Sequence, residues 1–412
     1  MSKSRTPVWV SLILLGLGLL VVGIPGLWVY INATATKLHP SPGHIPSATS
    51  SPLLPKWAGA VERGREIVRA SLSEENLPGL SVAVGIDGDI VWAQGFGFAN
   101  LENGLPVTPR HRFRIGTASS LLTSAGIGLL ADEGRLRLDD QIQAYVPEFP
   151  VKKWPVTIRQ VMGHVGGVKM EDVDDGVLTS SHCAQTADAV KLFAKEPLLF
   201  QPGTEYAEST FGWVLLSAVV EAAAKKPFMA FLEDSVFRPL GMRGTVKDAG
   251  TETVADEATS YYPRFAPNPL LGLPKYGMHP LHRFDYSCYA GASGFLSTPS
   301  DLVRFGIAIN GGKLLRRDTV QMLETSQRLA SGKETGFGLG WEVKRVTLAG
   351  QQVRAAGRNG LLWAGTVASL LTFPERGMAV AVASNISFAD TPSLAERIAQ
   401  AFVEPVKIPV GR

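Results

Sequence analysis

Three hydroxyl side chains stand close together in the stretch FRIGTASSLLTSAGIGLL, Phe113 to Leu130: Thr117, Ser119 and Ser120. The stretch reads as a strand end, a tight turn and a long apolar helix. A hydroxyl at a helix start with a base three residues on is suited to nucleophilic attack. Positions three apart share a helix face, and the helix start favours negative charge. Here Thr117 keeps the hydroxyl, but Ser120 stands where the base would be useful, and an unperturbed hydroxyl takes up no proton near neutrality. The β-methyl of Thr117 stiffens χ1 and crowds attack. Thr nucleophiles borrow an N-terminal amine as base, and an internal residue has none. Ser119 points about 100° away round the helix from each neighbour.

Other chemistry-bearing residues weigh less. His279 and His282 lie in a Pro-rich loop with too few ligands around them for a metal site. Glu171, Asp172, Asp174 and Asp175 lack the EF-hand spacing and read as an exposed acidic loop. His164, in HVGGV, reads as structural, and the scattered Trp residues read as core. Cys183 and Cys288 are the only cysteines, with neither activated-thiol nor metal-ligand spacing. In an exported chain a disulfide is permitted; two separate buried thiols are the alternative, which spacing alone leaves open. There is no Walker-type phosphate loop, and no cofactor or metal is expected. Forty Lys and Arg against 37 Asp and Glu give a net charge of +3. Without a basic cluster, that balance speaks against nucleic acid as a partner.

The elements that must position these groups are read from periodicity and turn residues. Trp57–Leu72 has helical spacing. SVAVGI and DIVWAQGFGFA flank Asp87-Gly88, a strong hairpin signal, and Asn103-Gly104 marks another turn. After the quoted helix the chain reads as mostly helical: Asp139–Val146, Thr157–Gly163, Ala187–Phe193, Thr210–Ala224 and Phe228–Phe237. Tyr262–Arg283 reads as irregular. Strands return at Gly336–Val343, Leu362–Phe373 and Met378–Ser384, and a helix closes the chain over Leu394–Phe402. An α/β (α+β) fold is expected: an antiparallel sheet built from both chain ends, flanked by helices, with a mostly helical insert over about residues 135–290.

The N-terminus differs from the rest. Lys3 and Arg5 precede an apolar run from Val8 to Ile31, long enough for a bilayer, which takes about 20 residues. Trp28 and Tyr30 lie at its far end, suited to the headgroup region, and the leading positive charges predict export of the chain beyond the run. An uncleaved anchor over residues 1–31 is favoured, with the membrane as partner and the globular part on the extracytoplasmic side. The alternative is a signal peptide cleaved near Ala33-Thr34-Ala35 and a secreted product, although such peptides have apolar regions of about 7–15 residues. Residues 32–56, rich in Pro and Ser, read as an extended linker. The globular domain is expected over 57–404, and 405–412 as a tail.

Several segments, taken in order, resemble the serine β-lactamase and penicillin-binding-protein superfamily, above all class C β-lactamases and related esterases and D-aminopeptidases. FRIGTAS resembles the family's FRIGS-x-S. IRQVMGHVGGV resembles its LLTHTSGL loop, and QPGTEYAESTFGWVLLSAVVE its PG-x-x-F-x-YSN-x-GY segment. AGASGFLSTPSDLVRF resembles GGL-x-STA-x-D, and GRNGLLWAGTVASLLTFPERGMAVAVASN the family's GH-x-GG to TN close. The resemblance runs from about Trp57 to Val403. It implies a β-lactamase-like fold and hydrolysis of amide or ester bonds through an acyl-enzyme.

The resemblance also assigns the site. The nucleophile's position holds Thr117 and that of its Lys holds Ser120. The second motif's Tyr becomes Glu208, Ser209 is kept, and Asn becomes Thr210. The third motif opens on Arg358 in place of Lys or His, with Gly360 kept. The backbone N–H groups of Thr117 and, by position, Leu362 would form the oxyanion hole, which does not depend on side-chain identity. Glu208 and Arg358 are expected either to pair across the cleft or to stand as separate solvated charges. Two functions are compatible with this: a membrane-anchored hydrolase with an altered acylation site, or a pseudoenzyme that binds a small-molecule or peptide ligand in the same cleft.

Overall fold

The computed structural model describes residues 37–50, 54–170, 176–248, 250, 252–262, 278–362 and 365–403, with short helical pieces between 15 and 29. Among the described residues no helix is long and apolar enough to cross a membrane. The spanning helix expected over Val8–Ile31 lies for the most part outside them. So do the acidic run 171–175, most of the irregular stretch 262–283, and the tail.

Seven strands form the main sheet: β1 Ser47–Thr49, β2 Gly79–Ile86, β3 Asp89–Asn100, β4 Glu342–Leu348, β5 Gln351–Leu362, β6 Thr366–Phe373 and β7 Met378–Ser384. Their order is β1-β3-β2-β7-β6-β5-β4, with the two-residue strand Leu105–Pro106 also pairing β3. Every pairing in this sheet is antiparallel. The two chain ends meet where β2 pairs β7, Val82 opposite Val382. Both central strands are buried almost throughout, which is why SVAVGI and MAVAVAS are continuous apolar runs rather than alternating ones.

Nine helices are used below: α1 Ala58–Glu74, α2 Ser119–Asp132, α3 Ile158–Met162, α4 Thr186–Phe193, α5 Thr210–Ala224, α6 Phe228–Leu232, α7 Pro299–Asn310, α8 Arg317–Leu323 and α9 Thr391–Val403. α1 and α9 cover one face of the sheet, where Val61, Val68 and Leu72 meet Leu394, Ile398 and Phe402. α7 covers the other face and joins the helical block of α2 and α5 in a second core. α2 is buried nearly all round because it runs through the middle of that core, so its apolar residues show no single stripe. The expected sheet from two ends, with a helical insert, is the architecture found.

Several local readings are corrected. Asp139–Val146 forms only a 3₁₀ turn at Ile142–Ala144, and Phe228–Phe237 changes from α to π-helix after Leu232. The late strands are four, not three. Gly336–Val343 is largely loop, and a hairpin of β4 and β5 comes after it. β4 reads EVKRVTL with Lys344, Arg345 and Thr347 exposed, so an edge strand is masked by its charges. Its turn is Ala349-Gly350, both at positive φ, a combination far less conspicuous than Asn-Gly. Part of the expected linker also docks on the domain. β1 pairs Ser47 with Phe96, and buried His39 Nε2 lies 2.8 Å from the Leu77 carbonyl.

Cys183 and Cys288 form a disulfide, which ties the approach to α4 to the chain just before the cleft wall at Ala292. A second tie is ionic. Arg114, just ahead of the Thr117 turn, is buried with Nε 2.5 Å from Asp248 and Nη1 3.1 Å from Glu257. Two acceptors satisfy most of its donors, as a buried guanidinium requires.

The closest approach in the molecule that bears on the site is at Gly360. A Cβ there would lie 1.9 Å from the Ile115 carbonyl oxygen and 2.7 Å from Ala118 Cβ. β5 therefore rests directly on the turn that presents Thr117. Gly360→Ala is expected to lower stability by at least about 2 kcal/mol, measured as a shift of the urea midpoint at unchanged m-value.

Candidate active site

A 3₁₀ turn, Gly116–Ala118, feeds α2 and sets Thr117 at the edge of the cleft. Gly116 takes φ 51°, a conformation that glycine adopts without strain. The Thr117 hydroxyl donates to the Asn359 carbonyl oxygen at 3.1 Å. A backbone carbonyl accepts a hydrogen bond but is too weak a base to remove the proton. Ser120 lies one turn on, buried, and its Oγ has no hydrogen-bond partner among the described residues; the same holds for Ser119. The two positions that would carry nucleophile and base are thus not connected to each other by a hydrogen bond.

The second motif opens α5. Ser209 is its N-cap: Oγ accepts from Gly212 N at 2.8 Å and donates to the Lys169 carbonyl at 2.8 Å. That is a cap's work, and it occupies the one hydroxyl the motif retains. Thr210 begins the helix and lines the cavity. Glu208, one residue before the cap, reaches across to β5.

There Arg358 receives it. Arg358 Nη2 lies 2.9 Å and Nη1 3.3 Å from the two Glu208 oxygens, a bidentate pair. Of the two expectations for these charges, the ion pair is the one found. Nη1 also reaches Glu342 at 3.2 Å, and the guanidinium lies 4.9 Å from the centre of the Phe337 ring. Its side chain is 3% exposed, while that of Glu208 is 44% exposed. Burial alone would raise the Glu208 carboxyl, but the Arg358 charge and hydrogen bonds outweigh it and hold the group below its usual range. Burial would lower Arg358, and the two carboxylates keep it charged.

His164 stands behind this pair. It is buried, and burial together with the Arg358 charge pushes it down to about 3, so it is neutral. Ser209 N–H points at its Nδ1 from 3.1 Å and Trp213 Nε1–H at its Nε2 from 3.2 Å. A neutral imidazole has one lone pair for two such donors. His164 therefore packs and orients the cleft wall, in keeping with the structural reading of its loop.

Gly360 and Leu362 lie on β5 beyond Arg358. Alternate residues of a strand turn their N–H and C=O to the same side. Asn359 turns its carbonyl to Thr117 and its N–H towards Glu342. The next N–H on that side belongs to Leu361, whereas that of Leu362 faces β6. By this parity the Leu361 N–H, and not that of Leu362, lies on the Thr117 side of β5. Glu342 and Asn359 were also missed by the motif reading. β4–β5 pairing sets Glu342 opposite Gly357, beside Arg358, and only a correct placement of β4 would have revealed it.

The cavity framed by Thr117, His164, Met170, Glu208, Trp213 and Arg358 has a volume of about 20 Å³. That is room for about one water molecule; sites for drug-sized ligands measure about 300–1,000 Å³. Among the described residues no cluster of His, Cys, Asp or Glu is arranged to hold a metal.

The profile of the Beta-lactamase family matches residues 65–402. The chain belongs to the β-lactamase family. Among curated relatives, the human serine beta-lactamase-like protein LACTB, mitochondrial, is 25% identical over 87% of this chain and 82% of its own length. Penicillin-binding protein 4* of Bacillus subtilis is 26% identical over 66% of this chain and 60% of its own. Two solved structures share the fold with a TM-score of 0.67. One is the octameric penicillin-binding protein homologue from Pyrococcus abyssi, 22% identical over 83% of this chain and 76% of that one. The other is a D-stereospecific amidohydrolase from Streptomyces, 19% identical over 83% and 98%. Within this serine β-lactamase-like hydrolase family, the cleft of the present chain is lined by Thr117, Glu208 and Arg358, with Ser120 buried one turn beyond Thr117.

The Glu208–Arg358 pair has a pH signature. Because the folded carboxyl titrates below its ordinary 4.5, its stabilisation is complete above that value and is lost as pH falls through the lower folded pKa. The stability difference between the native chain and Glu208→Gln, from urea midpoints, is expected to be largest near pH 7 and to shrink below pH 4.5. A difference constant over that range would remove the pair as a contributor.

Proposed function

We propose that this protein is a membrane-anchored member of the serine β-lactamase-like hydrolase family whose cleft binds a small-molecule or peptide ligand but has lost rapid acyl transfer. The observation that carries this reading is the fate of the Thr117 proton: the hydroxyl is given to a backbone carbonyl, and Ser120 supplies no base. Glu208, the nearest carboxylate by motif, is committed to Arg358 and held anionic at a low pKa, far from the range a general base needs. Loss of general-base help alone costs roughly 10²–10⁴-fold in rate. The outward backbone N–H of Leu361 and that of Thr117 remain as donors for a carbonyl or carboxylate oxygen.

A second reading keeps turnover: slow hydrolysis of an amide or ester through an acyl group on Thr117. The retained hydroxyl at the cleft favours it, as do structural neighbours described as amidohydrolases and amidases. Intact-mass analysis after incubation with a penicillin and with a reactive ester separates the two. No adduct is expected on the native chain, and an adduct is expected once Thr117→Ser, Ser120→Lys and Glu208→Tyr are combined. A stable acyl group mapped to Thr117 of the native chain would establish the second reading instead.

The anchor rests on the apolar run Val8–Ile31 and the charges before it. The disulfide supports an oxidising side of the membrane for the domain. The mitochondrial location in the names of the human and mouse relatives is the alternative address to the extracytoplasmic side of a cell membrane. Carbonate washing of membranes should leave the full-length chain in the pellet; its release would remove the spanning helix.

A further inference from the structure

Two carboxylates share the one buried guanidinium of the cleft, and they are held very differently. Glu342 is fixed from two sides, by Arg358 Nη1 at 3.2 Å and by Asn359 Nδ2 at 3.0 Å, at the start of a paired strand. Glu208 is held only at its tip, by Arg358 and by the Tyr206 hydroxyl at 3.3 Å, and nearly half of its side chain already faces water. If Glu208 turns out to solvent, Arg358 keeps Glu342 as counter-charge. The usual barrier to breaking a buried pair, an uncompensated charge left behind, is therefore low here.

The same count decides what can enter. With Glu208 in place, one cation faces two carboxylates, so a further anion is repelled. An anion that takes Glu208's place restores the original balance. The guanidinium fork that now receives Glu208 bidentately matches a carboxylate better than a spherical ion. Met170 and Tyr206, both exposed at the rim, offer an apolar body something to pack on.

We propose that Glu208 is a gate built into the cleft: its carboxylate closes the site by occupying Arg358, and a small carboxylic acid with an apolar body opens it by exchange. The gate deepens the ligand-binding reading and takes from it only the location of the site. In the closed state the space beside Thr117 holds about one water; exchange frees the volume that Glu208 fills. The apparent affinity for such an acid is lowered by the fraction of molecules in the closed state.

The test uses the full chain. Both native cysteines lie in the disulfide, so Thr117→Cys introduces a sole free thiol inside the cleft. Its alkylation by iodoacetamide, followed by intact mass, is expected to be slow, and at least tenfold faster when Glu208→Ala is added. Separately, calorimetric titration with benzoate at matched ionic strength is expected to give a Kd at least tenfold lower for Glu208→Ala than for the native chain. Binding should vanish in Glu208→Ala/Arg358→Gln. Glu208→Gln replaces Glu208→Ala throughout if the latter unfolds, as judged by circular dichroism. Equal alkylation rates would overturn the gate. Equal benzoate affinities, or affinity that survives loss of Arg358, would overturn the exchange. Neither readout needs acylation, so the penicillin experiment and this one can fail independently.

Discussion

A guanidinium buried to 3% exposure needs negative charge beside it, and Arg358 finds it on two different parts of the fold. Glu208 comes from the helical insert and Glu342 from the neighbouring strand of the sheet. The requirement therefore acts across the cleft as well as within the sheet. It ties the insert to β5 and keeps Glu208 anionic beside a space next to Thr117 of about 20 Å³, while His164 behind the pair is neutral chiefly because it is buried.

Around that pair the scaffold holds the Thr117 turn and β5 in close contact. The glycine at 360 lets β5 lie on the Ile115–Ala118 turn without a side chain between them. Arg114 is clamped by Asp248 and Glu257 immediately before that turn. Ser209 caps α5 and so fixes the residue before it, Glu208. These are contacts of positioning, and they are intact. The groups that would move protons are different. Thr117 donates to a carbonyl that cannot take its proton away, and the Ser120 hydroxyl is buried without a partner among the described residues. The cleft thus keeps the positioning contacts of the β-lactamase fold while Thr117 and Ser120 are not linked by a hydrogen bond.

Much was legible in the sequence: the sheet from two chain ends, the helical insert, and the tight turn before α2 that brings Thr117 to the cleft, with Glu208, Thr210 and Arg358 lining the same cavity. These were legible because they depend on local order. Central strands buried on both faces must be apolar runs, a hairpin needs residues that tolerate positive φ, and motif residues sit at fixed offsets from their helix starts. What only the tertiary structure decided were relations between distant segments. Glu342 joins the site through strand pairing, and β4 itself was hidden because an edge strand carries charges on its open side. That the Leu361 N–H rather than that of Leu362 lies on the Thr117 side is a matter of strand parity, which shows only once the carbonyl of Asn359 is seen facing Thr117. The pairing of Cys183 with Cys288, and of Glu208 with Arg358, joins residues more than a hundred positions apart. Their partnership depends on how the chain folds back, and no local pattern encodes it.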